Sequence, residues 1–280
     1  MDASCAEHLL TDTERIQFEQ DGYLILENVL PQDRIDDLLD ATDEIAATER
    51  AKRGLAEDDR LSIIDFIGRD ERFLEMIDYP LVFPKVWDIL SWNLQVYHTH
   101  IVITPPARGE IPKSQDGGWH QDSGRINQEL EGSPRPRVSI KVVYFLSDCS
   151  KPGMANFRVI PGSHMFNKME IPQDRQPDGW VDVLCPAGGC VFFDRRLWHR
   201  ATPNHSDITR KALFYGYSYR WLRPRDDIKV KHMWDKCDPV RRQLLGASAT
   251  GAFGFTSPKD EDVPLRAWIE ENLGKEAIPA

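Results

Sequence analysis

Cysteine is scarce in this 280-residue chain: Cys5, Cys149, Cys185, Cys190 and Cys237 are odd in number, scattered, and contain no C-x-x-C pair. That excludes a disulfide framework or a zinc knuckle as the organising device and fits the reduced thiols of a cytoplasmic protein. No apolar run approaches the roughly 18 residues of a membrane span. The start, MDASCAEHLL, lacks the basic residues and apolar stretch of a signal peptide. Positive charge is also short, with 35 Lys and Arg against 45 Asp and Glu and a net charge of -10. A general attraction to nucleic acid or to anionic membranes is thereby excluded, and only local basic pockets remain open. There is no repeat, no low-complexity segment and no long polar tract. With 41% hydrophobic and 29% charged residues, the chain is expected to fold throughout, as one domain over residues 1–280.

Along the chain the patterning changes once. Up to about residue 92 it reads as helix. Asp12 or Thr13 caps a short helix through Gln20, Gly22 ends it, and Tyr23-Leu24-Ile25-Leu26 forms a brief strand. Pro31 opens a longer helix in which Ile35, Leu38, Leu39, Thr42 and Ile45 recur at spacings of three and four. Asp36, Asp37, Asp40 and Glu44 fall on its other side and read as a solvated face, not a metal site. A charged loop over 54–60 and helical pieces near Glu71–Met76 and Leu81–Leu90 follow. From about 93 to 222, short β-branched and aromatic runs alternate with Gly, Pro and Asn breaks: Leu94–Thr104, Val138–Leu146, Phe157–Ile160, Val181–Leu184, Val191–Phe193 and Lys211–Trp221. Helices first and strands after predict a mainly β fold, an antiparallel sandwich or barrel buttressed on one side by the N-terminal helices. Residues 223–280, with weak helix signals at Pro239–Leu245 and Leu265–Leu273, are expected to wrap the core or, in a homodimer, a neighbouring subunit.

The chemistry concentrates in Trp119-His120-Gln121-Asp122. In extended backbone alternate side chains share a face, so His120 and Asp122 can converge on one point. His199, late in the strand region, supplies a third ligand. Two histidines and one carboxylate on one side of a metal leave positions open and suit non-haem Fe(II) oxygen chemistry. Alone, H-x-D is a three-residue pattern that a surface turn also produces. Arg210 makes it specific. A hairpin centred on Asn204 and His205 is expected to set Arg210 beside His199 on the antiparallel neighbour. There its guanidinium can pair with the far carboxylate of 2-oxoglutarate while the near carboxylate and keto oxygen chelate the iron.

With these residues in hand, the sequence resembles the phytanoyl-CoA dioxygenase family of Fe(II)- and 2-oxoglutarate-dependent oxygenases. The resemblance runs from Asp21-Gly22-Tyr23-Leu24-Ile25-Leu26 to about Trp221. It rests on Trp119-His120-Gln121-Asp122, on Arg158-Val159-Ile160-Pro161-Gly162-Ser163-His164, and on His199, Asn204 and Arg210 at the family's intervals. It implies a double-stranded β-helix, of the jelly-roll or cupin-like kind, with His120, Asp122 and His199 as iron ligands and catalytic centre and Arg210 as the 2-oxoglutarate anchor. It implies O2 as the oxidant, a small-molecule substrate, and hydroxylation of a C–H bond with release of succinate and CO2. Related halogenases leave the carboxylate position to a small residue, and Asp122 is retained here. Desaturation, epoxidation and ring formation need the same ligands and stay open. Two departures stand out: Ala201, where some relatives carry a small hydroxyl residue, and a long insert, Ala107–Asp116, in the region of the pocket lid.

Other residues have two readings each. His98 and His100 alternate on one strand and either line the pocket or serve the fold. Trp119, Arg125 and Asn127 flank the metal motif as candidate substrate contacts, with packing as the alternative for the aromatic. Lys141, a charge within an apolar strand, reads as an edge-strand residue in preference to an alternative counter-cation for 2-oxoglutarate. His164 reads as a turn residue whose ring binds backbone. Two rival functions use the same residues: a cupin-like metal enzyme without 2-oxoglutarate, and a non-catalytic binding protein on an oxygenase scaffold.

Overall fold

The computed structural model describes residues 1–110, 117–172 and 175–278. In chain order the elements are α1 (Asp12–Asp21), β1 (Tyr23–Leu26), α2 (Gln32–Arg53), β2 (Leu61–Ile64), α3 (Glu71–Leu74), α4 (Phe83–Leu90), β3 (Leu94–Thr104), α5 (Gly124–Glu129), β4 (Ser139–Phe145), β5 (Phe157–Val159), β6 (Val181–Val183), β7 (Cys190–Asp194), β8 (His199–Ala201), β9 (Arg210–Tyr219), α6 (Pro239–Leu244), α7 (Phe253–Thr256) and α8 (Pro264–Leu273). The strands form a six-stranded sheet in the order β1-β7-β4-β9-β3-β2 and a three-stranded sheet in the order β6-β5-β8. Every pairing is antiparallel.

Alternation along the strands divides the core in two. On β4 and β9, Ile140, Val142, Tyr144, Leu213, Tyr215 and Tyr217 join the helices in one apolar cluster. Their neighbours Val143, Phe145, Ala212 and Phe214 meet Phe157, Val159 and Val183 of the small sheet in the other. A period of two does this, because successive strand side chains leave opposite faces. The three tyrosines also anchor the helical layer: Tyr144 Oη donates to the Met76 carbonyl at 3.4 Å, Tyr215 to Phe73 at 3.0 Å and Tyr217 to Ile77 at 2.7 Å. Each such bond contributes on the order of 1 kcal/mol and spares a buried hydroxyl.

The helices form for local reasons. α1 is capped by Thr11 in a reciprocal box with Glu14, not by Asp12 or Thr13 as expected from sequence. It ends at Gly22, whose φ of +80° belongs to the left-handed region, and a Cβ there would lie 2.4 Å from His164 Nδ1. The His164 ring does bind backbone, at the Glu19 carbonyl. α2 buries Ile35, Leu38, Thr42 and Ile45 and leaves Asp36, Asp37, Asp40 and Glu44 to solvent. The C-terminal extension wraps the chain's own core. Leu244, Leu265 and Ile269 are buried in the helical cluster, and Gln243 Nε2 donates to the Trp92 carbonyl at 2.9 Å. All five cysteines are buried and free. Among the described residues no helix is long and apolar enough to cross a membrane.

Candidate active site

Between the two sheets lies a cavity of about 300 Å³ whose wall includes His120, Asp122, His199 and Arg210. One potential ligand atom from each of His120, Asp122 and His199 lies within 4.8 Å of the others. Backbone pairing sets this convergence. His120 N–H donates to the His199 carbonyl at 3.0 Å and His199 N–H returns the bond at 2.9 Å, a reciprocal antiparallel bridge. Asp122 N–H is held by the Arg195 carbonyl at 2.9 Å. Ser123 then turns the chain with φ +60° into α5.

The donor set fits a divalent iron. Nδ1 of His120 is 2.8 Å from the Gly118 carbonyl and Nδ1 of His199 is 2.8 Å from the Leu197 carbonyl. Both contacts require an N–H at Nδ1, so each Nε2 keeps its lone pair for a metal. Burial, outweighing the pull of Asp122, pushes His199 down to about 4, so it is neutral near pH 7. Burial works against the ionised Asp122, but Lys141 and the histidines prevail and hold its carboxyl well below the usual range. Lys141 Nζ lies 2.7 Å from Asp122 Oδ2 as an ion pair, yet off any hydrogen-bonding direction, and this buried oxygen has no hydrogen-bond partner. A cation at the triad would complete it. Two imidazole nitrogens and one carboxylate, with open positions around them, make up the donor set of non-haem Fe(II) oxygenases.

Arg210 reaches this cavity by a route the sequence did not suggest. β8 and β9 are not hairpin neighbours. β8 pairs with β5 in the small sheet, while β9 lies between β3 and β4 in the large one. The connection crosses from one sheet to the other, and Asn204 braces it with bonds to the Thr104 and Ile208 carbonyls. Arg210 therefore faces His199 across the sandwich. It is 6% exposed, its guanidinium sits over the Phe145 and Phe214 rings, and its Nε is buried without a partner.

Lys141 is not an edge residue. β4 is internal to the sheet, and Lys141 points into the cavity opposite Gly216. His98 and His100 both line the cavity. His98 Nδ1 is 2.6 Å from Asp226 Oδ1, whose other oxygen accepts from Thr99 N–H and Oγ1. His100 stacks between His98 and Phe214, and burial, aided by Lys141, holds it far below the usual histidine range.

Three expected pocket residues do not reach the wall. Arg125 is exposed on α5 and pairs with Glu129. Asn127 turns inward, donating to the Asp122 carbonyl at 2.8 Å and accepting from Arg195. Trp119 donates to Gln176 at 3.0 Å and lies under Arg200. The turn at Ser123 and the helix after it carry Arg125 and Asn127 away from the point where His120 and Asp122 meet, and Trp119, next to His120 in the chain, leaves on the opposite side. Of the insert, residues 111–116 lie outside the described residues. No motif points to Arg60 and Arg225, which also line the cavity, or to Asp226.

A model of the phytanoyl-CoA dioxygenase (PhyH) family matches residues 18–212, a span that holds His120, Asp122, His199 and Arg210. Solved structures share the fold at low identity. HygX from Streptomyces hygroscopicus, with nickel and 2-oxoglutarate bound, superposes with a TM-score of 0.60 at 14% identity over 77% of this chain and 90% of its own. EctD from S. alaskensis, with 2-oxoglutarate and 5-hydroxyectoine, gives 0.61 at 20% over 78% and 79%. SnoK, a non-haem α-ketoglutarate-dependent carbocyclase from nogalamycin biosynthesis, gives 0.58 at 20% over 84% and 93%. The chain belongs to the phytanoyl-CoA dioxygenase family, and by that membership is a non-haem iron, 2-oxoglutarate-dependent oxygenase.

Proposed function

We propose that His120, Asp122 and His199 hold Fe(II), that Arg210 anchors the far carboxylate of 2-oxoglutarate, and that the enzyme hydroxylates an unactivated C–H bond of a small molecule, releasing succinate and CO2. The carrying observation is one cavity that combines a neutral His, an ionised Asp and a second His within 4.8 Å with a buried guanidinium facing them. The bound iron and co-substrate supply the oxidising power. The chain supplies position and dryness. Backbone bonds fix both imidazoles, Arg210 offers two parallel donors to a carboxylate, and Phe157, Phe193 and Phe214 line the cavity and limit water. Asp122 fills the carboxylate position, which favours hydroxylation over halogenation. The facing six- and three-stranded sheets support reading the core as a double-stranded β-helix, the shared helical cluster supports one domain over 1–280, and the five free thiols suit a cytoplasmic protein.

The test is an anaerobic titration of the Fe(II) protein with 2-oxoglutarate, followed by the visible charge-transfer band of the chelate. The wild type is expected to develop the band. Arg210→Ala is expected to bind metal as before but to weaken 2-oxoglutarate by about 100-fold, the loss of a bidentate charge-assisted pair. No band in the wild type, or undiminished affinity in the variant, overturns the assignment.

A further inference from the structure

Arg210 is not the sole guanidinium at its end of the cavity. Arg60 directly precedes β2, and the register Leu61↔Ile103 and Thr104↔Arg210 carries Arg60 and Arg210 to opposite sides of Thr104 in one row. Neighbouring strands lie about 4.8 Å apart, so two strands separate the backbones by about 10 Å, a gap that two arginine side chains and one carboxylate fill. Arg60, Ser62 and Ile64 alternate along β2 onto the cavity wall. Among the described residues, Arg60 has no hydrogen bond or ion pair, and burial alone pushes it below its ordinary range. Arg210 is depressed first by burial and, among its neighbours' charges, by Arg60. The sole carboxylate on the described wall is Asp122, already engaged by Lys141.

Two partly desolvated cations facing each other without an anion are costly, and a bound anion is what repays such an arrangement. Lys141 already has its anion in Asp122, at 2.7 Å, and makes no claim on a second one. The anion in question is therefore the one that Arg210 receives.

We infer that Arg60 is a second guanidinium for the far carboxylate of 2-oxoglutarate, closing on it from the β2 side while Arg210 holds it from β9. This rests on the 2-oxoglutarate reading above. It makes the cavity selective for a 2-oxo acid with a second carboxylate at the right distance.

The experiment compares 2-oxoglutarate with 2-oxopentanoate, which keeps the chelating groups but lacks the far carboxylate, in anaerobic titrations of the Fe(II)-loaded wild type, Arg60→Gln, Arg60→Lys and Arg210→Ala. Arg60→Gln is expected to weaken 2-oxoglutarate about tenfold or more, to change 2-oxopentanoate by less than about twofold, and to be partly rescued in Arg60→Lys. If Arg60→Gln binds 2-oxoglutarate as the wild type does while Arg210→Ala does not, Arg60 serves a substrate anion instead and the inference falls. Equal weakening of both acids overturns it as well, since Arg60 would then act through the fold. A wild type with no band, or an Arg210→Ala variant with full affinity, removes the parent reading and the inference together.

Discussion

Asn127→Ala tests how the carboxylate ligand is held in place. Asn127 is 8% exposed and joins two buried groups, donating to the Asp122 carbonyl and accepting from Arg195. Arg195 is 1% exposed, burial brings it down to about 10, and its other bond runs to the Pro136 carbonyl. Truncation removes one charge-assisted bond, worth about 1.5–3 kcal/mol, and one neutral bond, worth about 1 kcal/mol. The metal-free protein should therefore lose about 3 kcal/mol in urea denaturation under chelator. Because the lost bond tethers the Asp122 backbone, metal affinity should also fall about tenfold, as for other partners of metal ligands. Arg125→Ala, two positions away on the exposed side of α5, should change stability by no more than about 0.5 kcal/mol. The reasoning is refuted if N127A unfolds like the wild type, or loses stability with its metal affinity intact.

Two further predictions concern buried charge. His100, His164 and His199 are all held below the usual histidine range, chiefly by burial. The folded state then binds fewer protons than the unfolded chain, so this stabilisation is complete above the ordinary histidine value of about 6.5 and is lost as pH falls toward about 4. Urea midpoints of the metal-free protein should drop between pH 7.5 and 5, more shallowly in His199→Gln, and a flat profile contradicts this. Asp194 has no exposure, and burial opposes its ionisation, but Arg196 and Arg137 hold it down to about 2. Its contribution of about 2 kcal/mol is present above its unfolded value and disappears as pH falls through about 2. Asp194→Asn, which leaves both arginines underpaired, should cost about 3–5 kcal/mol at neutral pH, read as a lowered urea midpoint.

The sequence made legible what depends on local periodicity. β3, β4, β7 and β9 are runs of β-branched and aromatic residues set between breaks, and α2 repeats apolar residues at three and four, so their positions followed from the chain alone. β2 and β8 did not. Leu61–Ile64 is four residues after a charged loop, and His-Arg-Ala carries no apolar pattern; both are strands because longer neighbours recruit them. The triad was legible because His120 and Asp122 stand two apart in extended chain and His199 sits within the strand region. Arg210 was assigned to the cavity on a hairpin that does not exist, since spacing cannot say which sheet a short strand joins. Lys141 looked like an edge because a charge in an apolar strand usually faces solvent, whereas here it faces a cavity with a carboxylate in it. The partnership of His98 with Asp226 spans 128 positions, and no local signal encodes such a pair.

That partnership has a consequence for how such an enzyme could diversify. Asp226 belongs to the extension beyond β9 and lies outside the family-matched span, yet it fixes one face of the cavity through His98 and Thr99. Arg225, beside it, lines the same wall. The cavity wall is thus partly built by a segment that supplies none of His120, Asp122, His199 or Arg210. Changes there can reshape that wall while His120, Asp122, His199 and Arg210 stay as they are, since none of the four bonds to Asp226.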